Sequence, residues 1–96
     1  MKVVVDQTVH IKMNEIALQL HPTLDGKTIA KKMNRIFSEL DRLGHYATIY
    51  NKARLRSSWI QNGYRECVIE DIHFAFQIYK NGETGEPYVY VHDACH

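Results

Sequence analysis

Six histidines, two cysteines and an uneven spread of charge are the chemically capable features of this 96-residue chain. Imidazole titrates near neutrality, so a histidine can give or take a proton at ordinary pH, or ligate a metal. His92 and His96 are four residues apart, a spacing that shares one face of a helix, but His92 sits in a strand-like run. A zinc site there would need further ligands from His73, Asp93 or Cys95, and no metal is expected. Cys67 and Cys95 are far apart and form no CxxC. They read as a buried small hydrophobe and a free thiol near the last residue. No GxxxxGK[ST] phosphate loop, GxGxxG, HExxH or GxSxG elbow occurs, so nucleotide-loop, dinucleotide, zincin and serine-hydrolase chemistry have no support and no cofactor is called for.

Net charge is +1, from 12 basic and 11 acidic residues. Residues 27–65 carry nine basic residues against two acidic ones, +7, and residues 66–96 carry one against six, −5. A basic middle segment of this kind can meet a polyanion. A solvated charged face is the plainer alternative.

These residues need elements to position them, and hydrophobic periodicity supplies most of the outline. Ninety-six residues with 45% apolar and 24% charged content read as one globular domain, 1–96. Val3–Val5 is a β-branched run suited to a first strand. From Thr8 the period changes: Val9, Met13, Ile16, Ala17 and Leu20 form one helical stripe, stopped by Pro22. Thr23, Asp25 or Thr28 could cap a second helix. Its stripe is Ile29, Met33, Ile36, Phe37, Leu40 and Leu43, and Gly44 is a natural C-cap. Beyond Gly44 the chain reads as strand: Tyr46–Tyr50, Leu55–Ile60, a tight turn at Asn62-Gly63, Tyr64–Ile69, a turn at Glu70-Asp71, the alternating His73–Tyr79, a polar loop over 81–87, and Tyr88–His92. The expected fold is α+β, β-α-α-β-β-β-β, with a mostly antiparallel sheet of about four strands and the helices on one side. No apolar run approaches the roughly 18 residues a membrane span needs. The N-terminus is too quickly polar for a signal peptide, and the simplest expectation is a cytoplasmic protein.

The order of elements and the second half of the chain resemble the RelE/ParE superfamily, the toxin halves of bacterial type II toxin–antitoxin modules. The residues carrying this are Tyr64-Arg65-Glu66-Cys67-Val68-Ile69-Glu70-Asp71, then Ile72-His73-Phe74-Ala75-Phe76-Gln77-Ile78-Tyr79, then Val89-Tyr90-Val91-His92-Asp93-Ala94-Cys95-His96. They look like the family's arginine-led strand, aromatic alternating strand, and last strand ending near a histidine or basic residue. The resemblance implies an antitoxin partner and, for ribosome-dependent members, cleavage of mRNA by attack of a ribose 2′-OH on the adjacent phosphate. It assigns catalytic roles to His73, His96 and Arg65, and RNA contacts to Lys52, Arg54 and Arg56. Their chemistry suits such a cleavage, with histidine as acid or base and arginine as a rigid phosphate fork. Low net charge fits the family's other branch, ParE-like toxins that bind DNA gyrase without cutting RNA. A small α+β interaction module unrelated to toxins is the third reading.

Overall fold

The computed structural model describes all residues from 1 to 96. In chain order they form β1 (Lys2–Val5), α1 (Gln7–Leu20), α2 (Gly26–Tyr46), a short 3-10 turn (Ala47–Ile49), α3 (Ser57–Gln61), β2 (Arg65–Ile69), β3 (Ile72–Lys80) and β4 (Pro87–Cys95). The class is α+β, as the periodicity predicts.

Both long helices start where an aspartate accepts a backbone N–H. Asp6 accepts from Thr8 N at 2.9 Å and Asp25 from Thr28 N at 2.7 Å, so Asp25 is the cap among the three candidates. The helical stripes turn inward. Val9, Met13 and Ile16 of α1 and Ile36, Leu40 and Leu43 of α2 are buried with Phe74, Phe76, Val89 and Val91 of the sheet.

Strand order is β1-β4-β3-β2. The β2–β3 and β3–β4 pairs are antiparallel, and β1 lies parallel to β4, with Val3 opposite Val89 and Val5 opposite Val91. The sheet is therefore mixed. Glu70 and Asp71 close the β2–β3 hairpin with positive φ of 47° and 70°, the left-handed pair that a two-residue hairpin loop requires.

Residues 46–60 depart from expectation. Tyr46–Tyr50 is no strand: α2 runs through Gly44 to Tyr46 and continues into the 3-10 turn. A Cβ on Gly44 would lie 2.0 Å from the carbonyl oxygen of Met1, so the glycine here makes room for β1 rather than ending the helix. Leu55–Ile60 is not a strand either. Ser57–Gln61 forms α3, held by Trp59, which is 2% exposed. Asn62-Gly63 ends α3 instead of joining two strands. Gly63 has φ +70°, and the Gly63 and Tyr64 amides donate to Ile60 O and Trp59 O. Trp59, Ala53 and Ala75 form a second small core with Tyr64 and Cys95 against it. Ala75 alternates with Phe74 and Phe76, so this core lies on the sheet face opposite α1 and α2. The helices do not all lie on one side.

Candidate functional site

The face that carries α3 also carries the chain's polar aromatic residues, and a β-bulge organises them. Ala75 pairs with Asp93 and Phe76 with Val91, which leaves His92 without an opposite number. The extra residue puts His92 and Asp93 on the same face as Tyr90, a device that re-aims side chains.

His92 is walled by aromatic rings. Tyr64, the residue before β2, stacks on it, with centroids 4.3 Å apart and planes at 12°. Tyr90 lies at 4.7 Å and Tyr79 at 5.7 Å. The Nε2 of His92 is 2.7 Å from the Tyr79 hydroxyl. Burial lowers the His92 pKa below its usual value, against the opposing pull of Asp6 and Asp93. A ring kept neutral accepts the Tyr79 O–H at Nε2 and holds its own proton on Nδ1.

Two carboxylates flank the ring, each held ionised by its own partners. Asp6 accepts the Tyr90 O–H as well as the Thr8 amide, and the Tyr90 bond foremost holds its pKa down at about 2. The same bond raises the Tyr90 phenol. Asp93 is ion-paired to Lys12 of α1 and accepts Trp59 Nε1–H at 2.9 Å. Burial pushes its carboxyl up, but the Lys12 and Trp59 hydrogen bonds outweigh that and the net shift is downward. Asp6, Lys12, Asn62, Tyr64, His92 and Asp93 line one open cleft of about 320 Å³. A hydrogen-bonded His–Tyr pair at such a cleft can take up one proton and release another.

The six residues singled out from the sequence are dispersed. His73 lies on the same face as His92 but beyond the Trp59 core, with Nδ1 2.8 Å from Glu66 Oε2. His96 lines a different depression with Lys12, Glu15, Ile16 and Gln19 of α1. Arg65 donates from Nη1 to the carbonyl oxygens of Tyr50 (2.6 Å) and Thr48 (3.4 Å), fastening the segment after α2 to β2. Arg56 sits over the Trp59 ring, 5.2 Å from its centroid. Lys52 and Arg54 are exposed, make no ion pair, and line an open groove of about 490 Å³ beside β2. His73, His96 and Arg65 thus share no centre. No group of three or more His, Cys, Asp or Glu side chains is placed to hold a metal ion.

Sequence reasoning misses the role of His92, Tyr79, Tyr64 and Asp6. The alternation of residues 88–92 places the tyrosines on one face, but a bulge leaves no mark in hydrophobic pattern. Nothing in the sequence marks Glu66 as the partner of His73. No protein-family model, curated protein or solved structure matches the chain.

Proposed function

We propose that this chain is a toxin of the RelE/ParE type that cuts mRNA on the ribosome, with single-stranded RNA lying across the sheet face that carries α3. The observation that carries the reading is the His92–Tyr79 hydrogen bond inside a wall of tyrosines, at the mouth of a polar cleft. Unpaired bases stack on aromatic rings, and phosphates are met by Lys and Arg. Tyr64, Tyr79 and Tyr88 supply rings, and the unpaired Lys52 and Arg54 supply cations on the far side of α3. Cleavage by 2′-OH attack needs a proton removed from that hydroxyl and another given to the leaving 5′ oxygen. The neutral His92 accepts the first, by way of Tyr79, and the imidazolium so formed returns it. The element order β-α-α followed by antiparallel hairpins supports the family reading, as does an acidic-partner face at Lys52 and Arg54 for an antitoxin segment that folds on binding.

A second reading is a ParE-like toxin that binds DNA gyrase. The dispersal of His73, His96 and Arg65 favours it, because that branch needs no such constellation.

The test is induced expression of the untagged protein in a bacterium, with growth followed and mRNA 5′ ends mapped, beside His92→Gln and Tyr79→Phe. Growth arrest with new cuts inside translated frames, both lost in His92→Gln, is the expected result. Arrest without cuts, retained in His92→Gln, moves the function to gyrase binding. Absence of arrest from the well-folded protein removes the toxin reading.

A further inference from the structure

The sheet face that carries the His92 cleft runs on past it to a smaller cleft at the start of β4. Tyr88 stands between Lys2 of β1 and Tyr79 of β3, its opposite numbers in the two neighbouring strands, and opposed residues of a sheet share a face. The rings on this face form a row: Tyr64 on His92 at 4.3 Å, His92 to Tyr79 at 5.7 Å, and Tyr79 to Tyr88 at 5.9 Å. The β3–β4 loop closes the end of the row. Its Asn81 amide donates to Glu86 O at 2.8 Å, and the Glu86 amide to Thr84 Oγ1 at 3.2 Å, which holds Glu86 beside Tyr88. Lys2, Val4, Asn81, Glu86, Pro87 and Tyr88 line a cleft of about 180 Å³ there. Lys2 and Glu86 are both exposed, and neither makes an ion pair, with the other or with any other residue.

An ammonium, a carboxylate and an aromatic ring around one small cleft complement a ligand with an anionic group, an amino group and a flat ring between them. A nucleotide whose base carries an exocyclic amine has all three. Its phosphate suits Lys2, its amine suits the acceptor-only Glu86, and its base stacks on Tyr88. Uracil presents a carbonyl oxygen where cytosine presents the amine, and a carboxylate has no proton to give it. We propose that this cleft is a second nucleotide subsite, which takes cytosine or adenine in preference to uracil. The inference rests on the RNA reading of the His92 face and adds to it a place and a preference. Four residues of strand lead from His92 to Tyr88, about 13 Å at about 3.3 Å each. Stacked nucleotides at about 3.4 Å each cover that distance in about four steps. The base held here is therefore remote from the bond being cut, and the subsite acts on affinity.

The experiment is a fluorescence anisotropy titration with labelled hexacytidylate and hexauridylate, two oligomers that differ only in the amine and carbonyl of each base. It uses the wild-type chain, Lys2→Ala, Glu86→Ala and Tyr88→Leu. Lys2 and Glu86 are exposed, so their variants keep the fold, and circular dichroism checks Tyr88→Leu. Wild type is expected to bind hexacytidylate about tenfold more tightly than hexauridylate, the discrimination that one well-placed contact to a base edge supplies. Glu86→Ala is expected to remove that preference. Tyr88→Leu is expected to weaken hexacytidylate about tenfold through the lost stack, and Lys2→Ala to weaken both oligomers alike. Equal affinity of the wild type for the two oligomers, or a preference undiminished in Glu86→Ala, overturns the subsite. The RNA reading survives that result where Lys52→Ala still weakens both oligomers. Binding of neither oligomer by the folded wild type overturns the RNA reading, and the subsite with it.

Discussion

Asp6 does two jobs with one carboxylate. One oxygen caps α1 through the Thr8 amide, and the other accepts the Tyr90 hydroxyl beside His92. The Tyr90 bond is the larger cause of its lowered pKa, so removing that bond separates the roles. The sign follows from linkage: the folded pKa of about 2 lies below the unfolded 3.8. The stability contribution is present above the unfolded value and is lost as pH falls towards the folded one. In Tyr90→Phe the Asp6 carboxyl is expected to titrate closer to 3.8 while the Thr8 cap persists, and acid unfolding should begin at higher pH. Carbon-13 NMR titration of the Asp6 carboxyl in the two proteins measures this. An unchanged titration would mean that the cap alone sets the value. None of this is legible in the sequence. Asp6 precedes a helical stripe, which suggests a cap, but its tyrosine partner is 84 positions away, brought there by the parallel β1–β4 pairing.

At the scale of elements, periodicity locates α1, α2 and the three C-terminal strands because each buries one regular face against the main core. It fails over residues 46–60, where the aromatic and β-branched composition of Tyr46–Tyr50 suits a strand but tertiary contacts decide. Ala47 is fully buried under the end of α2, and Trp59 anchors a helix of five residues, too short to persist without packing. The last strand outruns its expected end at His92 for a related reason: the bulge there breaks the alternation while the pairing continues to Cys95. Gly44 gives the clearest test. On helix propensity alone, Gly44→Ala should stabilise α2 by about 1 kcal/mol. The new Cβ would instead meet the Met1 carbonyl oxygen at 2.0 Å, a backbone atom that cannot move without β1. Overpacking of this kind costs about 1–3 kcal/mol, so the net change is expected to be destabilising. Urea unfolding of Gly44→Ala decides the sign. A stabilised variant would show that Met1, just ahead of β1, yields freely.

Across the whole molecule, the fold divides a charge block that the sequence presents as continuous. Of the nine basic residues between 27 and 65, Lys27, Lys31, Lys32, Arg35 and Arg42 lie on α2, which packs on the sheet face opposite α3. Arg35 is paired with Glu70 and Arg42 with Glu39. Arg65 is spent on backbone carbonyls. What remains near the proposed RNA face is Lys52, Arg54 and Arg56. The two arrangements have different salt dependences, because each phosphate contact with single-stranded nucleic acid releases counterions worth a slope of about −0.7 in log affinity against log salt. Three contacts give a slope of roughly −2, whereas the whole basic segment acting together would give roughly −6. Binding of a short single-stranded RNA, followed by fluorescence anisotropy over a salt series, is expected to show the shallow slope, reduced by about 0.7 in Lys52→Ala or Arg54→Ala. A steep slope that ignores those two residues would move the RNA to the α2 side of the sheet, away from His92. The aromatic face would then be left without its ligand.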